Sequence, residues 1–79
     1  MEVLLFGITK EIIGKSRITI EQEGGPKTVG ELKDQLKGRY TALNSLRSLA
    51  VAVDNEYADD ATLLKGAREI ALIPPVSGG

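Results

Sequence analysis

Cysteine and histidine are both absent from this 79-residue chain. Without them there is no disulfide, no thiol nucleophile, no imidazole base and little with which to hold a transition metal. Serine–histidine and cysteine–histidine hydrolysis are therefore excluded for the chain acting alone. Aromatic residues are scarce too: Phe6, Tyr40 and Tyr57 are the only three, too few for a platform on which bases stack. An excess of either charge is also missing, and a net charge of −1 makes no electrostatic case for nucleic acid or an anionic membrane. No apolar run approaches the ~20 residues of a membrane span. Met1-Glu2-Val3 lacks the basic start of an export signal, so a cytosolic location is expected. These absences leave a small domain with no side-chain catalyst of its own.

Along the chain, apolar patterning specifies a few short elements. Glu2-Val3-Leu4-Leu5-Phe6 reads as a strand ending at Gly7. Ile8 and Ile12, four apart and closed by Gly14, read as a short helical segment. Arg17-Ile18-Thr19-Ile20-Glu21 alternates strictly, which predicts a half-buried strand with Ile18 and Ile20 inward. Gly24-Gly25-Pro26 breaks the chain after it. Thr28-Val29-Gly30-Glu31 matches a reciprocal helix cap, and Val29, Leu32 and Leu36 follow at helical spacing, with Gly38 as the expected stop. Leu43, Leu46 and Leu49 recur every third residue, compatible with a short helix or a packed loop. Leu49-Ala50-Val51-Ala52-Val53 predicts a strand, with Asp54-Asn55-Glu56 as the turn beyond it. Leu63 and Leu64 are expected to plug the core, Lys65-Gly66 to turn the chain, and Glu69–Ile73 to form the last strand.

One helix over a small mixed sheet is the economical way to bury these residues. The expected fold class is therefore α+β: a β-grasp with a four- to five-stranded sheet and one main helix on one face. The first and last strands, the most continuously apolar, should lie side by side and parallel in its middle. Residues 1–75 form the domain, and residues 76–79 a flexible tail.

Alternation then implies a second apolar face. If Val3, Leu5, Ile18, Ile20, Val51, Val53, Ile70 and Leu72 point at the helix, the other side carries Leu4, Phe6, Ala50, Ala52, Ala71 and Ile73. An apolar sheet face of that kind usually marks a contact with another molecule, and it leads to Pro74. The bland alternative is that both faces are buried within one domain.

The chain end is the most informative feature present: Pro74-Pro75-Val76-Ser77-Gly78-Gly79, a stiff proline pair narrowing to two glycines. Neither proline can donate to a sheet, so the last strand must stop there. Polyproline stiffness lowers the ordering cost of docking, and glycines allow close backbone approach. The group such a tail presents is the Gly79 carboxylate, ionised at neutral pH and unreactive as an acyl donor until activated. Adenylation followed by displacement with a sulfur or amine nucleophile is the route this layout suggests. Other candidates are weaker. Asp59-Asp60 reads as a solvated turn, Gly24-Gly25 lacks a phosphate-loop context, and Lys10, Lys15, Arg17 and Lys65 are scattered.

Several segments together carry a likeness: Val3-Leu4-Leu5-Phe6-Gly7 with Lys10-Glu11 and Gly14, Thr28-Val29 with Leu32 and Leu36, Leu49–Val53, and Ile70-Ala71-Leu72-Ile73 running into the tail. Over essentially its full length the chain resembles the MoaD-type sulfur carriers, the small subunits of molybdopterin synthase. The ending is the specific part. The resemblance implies a ubiquitin-like carrier whose Gly79 carboxylate is adenylated and converted to a thiocarboxylate, which donates sulfur to cyclic pyranopterin monophosphate. It implies two partners: the large synthase subunit, in a heterotetramer of two small and two large chains, and a MoeB-type adenylating enzyme. ATP and magnesium belong to that enzyme, with no cofactor held by this chain. Pro74, Pro75, Val76, Ser77 and Gly78 would insert with the tail. Phe6 and Ile73 match family positions that contact the large subunit, and Tyr57 aligns with a third; Leu4 and Ala71 join them on the apolar face.

The chain departs from the family pattern at three places. Lys10 replaces a frequent arginine, Asp54 a frequent asparagine, and Ala67-Arg68-Glu69 a Gly-Asp-Glu turn whose glycine comes early, at Gly66. Two other readings fit the same chain: a thiamine-pathway carrier or ubiquitin-like modifier, and a passive binding module with an incidental tail.

Overall fold

The two most continuously apolar segments do lie side by side. The computed structural model describes residues 1–75. In chain order it contains β1 (Glu2–Leu5), α1 (Gly7–Ile13), β2 (Arg17–Thr19), α2 (Val29–Arg39), a 3₁₀ turn (Thr41–Ser45), β3 (Ala50–Val53), β4 (Glu56–Ala58) and β5 (Glu69–Ile73). The strands form one mixed sheet in the order β2-β1-β5-β3-β4. β1 and β5 run parallel at its centre, with Val3 opposite Ile70 and Leu5 opposite Leu72. Their parallel register needs a long crossover, which the intervening chain and α2 supply.

The core lies between the sheet and α2. Val29, Leu32 and Leu36 from the helix meet Val3, Leu5, Ile18, Val51, Ile70 and Leu72 from the sheet. Each such burial contributes about 1.5–3 kcal/mol relative to exposure. Leu43 and Leu49 close the same cluster from the 3₁₀ turn and the loop after it, with Leu46 packed beside them. Both alternatives for that stretch are thus realised in succession.

The N-cap of α2 differs in detail from the expected reciprocal pair. Thr28 Oγ1 accepts from the Glu31 amide at 3.1 Å, but the Glu31 carboxylate accepts from the Lys27 amide at 3.4 Å instead of from Thr28. Nor does Gly38 stop the helix, which runs to Arg39 with half-buried Tyr40 as its cap. Tyr40 packs against the core, and that burial carries the helix past a residue of poor propensity.

β4 was not expected from sequence. Asp54 and Asn55 both take positive φ, 47° and 73°, giving a two-residue hairpin turn that pairs Val53 with Glu56. The segment read as a turn therefore delivers an extra edge strand. Asp54 also accepts hydrogen bonds on Oδ1 from the Arg68 and Glu69 amides, at 3.1 and 2.9 Å, tying the hairpin to the start of β5. The carboxylate serves well in the place where asparagine is frequent.

Of the two leucines expected to fill the core, only Leu64 does so; Leu63 is 68% exposed. Its neighbours explain why: Thr28 and Leu63 form a bridge, and Leu64 N–H donates to Lys27 C=O, so successive side chains point to opposite sides. Asp59 and Asp60 are structural. Asp59 caps its own turn through Ala61 N–H and Thr62 Oγ1, and Asp60 pairs with Lys33 at 2.9 Å.

Candidate functional site: the open sheet face and the root of the tail

Register fixes which residues share the sheet face turned away from α2. Arg17 pairs with Leu4, Leu4 with Ala71, Ala71 with Ala52, and Ala52 with Tyr57. These five residues form a continuous row across all five strands. Ala50 pairs with Ile73 in the next row toward the C-terminal end of β5. In the opposite direction the face turns polar, with Glu2 between Thr19 and Glu69.

The apolar part is accessible. Leu4, Ala50, Ala71 and Ile73 are half-buried, Ala52 is buried, and Tyr57 and Phe6 are 77% and 49% exposed. Among the described residues α2 buries Val29, Leu32 and Leu36 in the cluster on the other side of the sheet, and Ile12 and Ile13 of α1 pack against that cluster while Ile8 stays exposed. The small alanines make the middle of the face flat, with Leu4 and Tyr57 as its bulky flanks.

Register places Leu4, Ala71 and Tyr57 in one row and Ile73 in the next, and Phe6 follows the end of β1. Alternation alone did not reach Tyr57 because β4 was unrecognised. The Asp54-Asn55 pair was the available signal, since both residue types tolerate the left-handed conformation of such turns.

Pro74 and Pro75 follow β5 directly and are half-buried. The Pro74 ring lies against Gly7, where an added Cβ would stand 3.2 Å from Pro74 Cγ. Gly7 also has φ +54°, so both space and backbone conformation favour glycine there. The expectations for Val76, Ser77, Gly78 and Gly79 concern positions outside the described residues.

Thr9 was overlooked in the sequence. It is buried, and its hydroxyl closes on both backbone polar groups of Phe6, accepting from the Phe6 N–H at 3.0 Å and donating to the Phe6 C=O at 2.6 Å. A threonine three residues after a helix N-cap was the available clue. A cleft of about 430 Å³ lined in part by Pro26, Leu63 and Leu64 sits where the chain approaches the start of β5, away from Pro74.

Comparison with known proteins agrees with this geometry. The ThiS family model matches residues 3–79. The chain belongs to the ThiS family. A molybdopterin synthase sulfur carrier subunit of Arabidopsis thaliana is 34% identical over 80 residues, covering 100% of this chain and 82% of that one. Its counterpart in Dictyostelium discoideum is 38% identical over 81 residues, covering 99% and 94%. Among solved structures, SAMP1 from Haloferax volcanii superposes with a TM-score of 0.72 at 31% identity, covering 99% of this chain and 97% of that one. The five-stranded mixed sheet with its packed helix is accordingly the ubiquitin-like β-grasp of this family.

Proposed function

We propose that this protein is the sulfur-carrier subunit of a molybdopterin synthase. The observation that carries the reading is contiguity: the open apolar face runs along β5 to Ile73 and Pro74, at the root of the Gly-Gly end. A partner seated on that face stands beside the emerging chain end. Relatives bearing the sulfur-carrier name across the chain's full length support the same reading.

In this proposal the reacting group is the Gly79 carboxylate. A carboxylate oxygen attacks the α-phosphorus of ATP on a MoeB-type adenylating partner; a C–O–P linkage forms and magnesium pyrophosphate leaves. Hydrosulfide then attacks the carbonyl carbon, the acyl C–O bond breaks, AMP leaves, and loss of a proton gives the thiocarboxylate. With residues 74–79 inserted into the large subunit, the thiocarboxylate sulfur attacks a carbon of cyclic pyranopterin monophosphate and displaces an oxygen substituent. Water then cleaves the acyl C–S bond of the resulting thioester, which leaves the sulfur on the pterin and restores the Gly79 carboxylate. ATP and magnesium are the adenylating partner's reagents. Phe6, Leu4, Tyr57, Ala71 and Ile73 dock on the large subunit, two copies of each chain making the assembly. The body of the carrier contributes shape and no proton transfer.

Coexpression with an adenylating partner and a sulfur source tests this. The expected result is a mass gain matching exchange of one oxygen for sulfur, mapped to the C-terminal peptide. An unchanged mass, under conditions that modify a control carrier, overturns the reading. The likeness to SAMP1, a modifier by name, favours a second reading in which an amine displaces AMP and an amide forms. High-molecular-weight conjugates on a blot would identify it.

A further inference from the structure

The sheet holds the last strand no further than Ile73, which pairs with Ala50 of β3. Its ladder between β1 and β5 ends at Leu5 and Leu72, and the two prolines after Ile73 have no N–H with which to extend it. What meets the chain there instead is the corner at Phe6 and Gly7. The Pro74 ring rests on Gly7, which has no side chain to hold it off.

That corner is held from inside. Thr9 is completely buried, and a buried hydroxyl left unpaired is costly. Both of its hydrogen bonds go to Phe6, at 3.0 Å from the amide and 2.6 Å to the carbonyl, and the Thr9 amide adds a third to the same carbonyl at 3.1 Å. The hydroxyl is satisfied only while Phe6 keeps its extended conformation, φ −127° and ψ 152°, and Gly7 turns at φ +54°. One buried side chain thereby fixes two things at once: where the Phe6 ring stands at the rim of the open face, and the surface on which Pro74 rests.

We infer that Thr9 is a positioning residue for the root of the C-terminal tail, acting through the Phe6–Gly7 corner to seat Pro74 where the chain leaves β5 for the enzyme that receives it. The inference rests on the carrier reading for its functional consequence, but its structural part stands apart from it. With the corner loosened, Pro74 and Pro75 lose their seat, which must be re-formed on docking. The loss should therefore fall on apparent affinity and leave the chemical step unchanged.

The test compares wild type with Thr9→Val, which keeps the shape and removes the hydroxyl, and Thr9→Ser, which keeps the hydroxyl. NMR of the free protein reads the corner directly as a nuclear Overhauser contact between Gly7 Hα and the Pro74 ring. ATP–pyrophosphate exchange by the adenylating partner, with the carrier as varied substrate, reads the consequence. Thr9→Val should lose the contact and raise KM on the order of tenfold with kcat within about twofold, and Thr9→Ser should restore both. Retention of the contact in Thr9→Val, an unchanged KM, or a Thr9→Ser variant as impaired as Thr9→Val would overturn the inference. If Thr9→Val does not fold, Gly7→Ala displaces Pro74 directly and should give the same rise in KM; an unchanged KM there refutes the inference equally. Absence of exchange with wild type would count against the carrier reading alone, since the Gly7–Pro74 contact remains measurable without any enzyme.

Discussion

The two faces of this sheet are built from the same strands and differ in what covers them. On the inner face Val3, Leu5, Ile70 and Leu72 are closed off by α2. On the outer face Leu4, Ala71, Ala52 and Tyr57 sit one residue out of phase, and all but the buried Ala52 stay accessible. Side-chain size differs as much as exposure does. The inner face interlocks Leu, Ile and Val with helix side chains, whereas the middle of the outer face is alanine. Alanines add little burial to the fold, but they give a partner a flat surface to approach. On the proposed reading, the inner residues hold the domain together and the outer ones meet the partner.

The largest expected effect lies beyond both faces. Deleting Gly79 should abolish sulfur loading, read by intact mass, while leaving the melting temperature unchanged; a melted domain would mean the tail belongs to the core. Next, Leu36→Ala should cost about 2–5 kcal/mol in denaturant unfolding, because it empties a fully buried site beneath the sheet. Tyr57→Ala is its counterpart on the outer face. It should weaken binding of the large subunit by about 1–2 kcal/mol, measured by calorimetry, and shift stability by under about 0.5 kcal/mol. Similar losses of stability in the two variants would erase the distinction between the faces. Gly38→Ala provides a check from outside the sheet. No atom lies within 4 Å of a Cβ added there, so the exposed helix should gain about 0.5–1 kcal/mol with partner binding unaffected. The smallest effect belongs to Arg17→Ala, whose 3.9 Å approach to Glu2 is an exposed ion pair and should be worth under about 0.5 kcal/mol.

Much of this layout was legible because the strongest patterns are also the most local. Glu69–Ile73 is apolar from its second residue onward and forms a strand over that same range. Thr28 before Val29, Leu32 and Leu36 announced the main helix and its buried stripe. The central, side-by-side placement of β1 and β5 followed from their continuous apolar character, the mark of strands covered on both faces. What escaped was decided by longer-range contacts. β4 contains only Glu56, Tyr57 and Ala58, too short for a period to be read, and exists because a left-handed turn folds it against β3. Leu63 and Leu64 are equally apolar, and only the bridge to Thr28 determines which of them faces inward. Gly38 looked like a stop because local propensity ignores the packing of Tyr40.

The candidate site divides along the same line. Leu4, Phe6, Ala71 and Ile73 could be placed on one face by counting in twos, and the Gly-Gly ending stood out by composition. Tyr57 needed a strand that the pattern did not reveal. Thr9 needed three-dimensional information altogether, because the groups that engage its hydroxyl belong to a backbone whose conformation the sequence does not display.

The most direct test of the whole account is the intact mass of this protein isolated from its native cell, with fragmentation to locate any change. A fraction carrying sulfur in place of one oxygen at Gly79, and nowhere else, is the predicted result. A terminus that stays an ordinary carboxylate while the cell is making molybdopterin would contradict it.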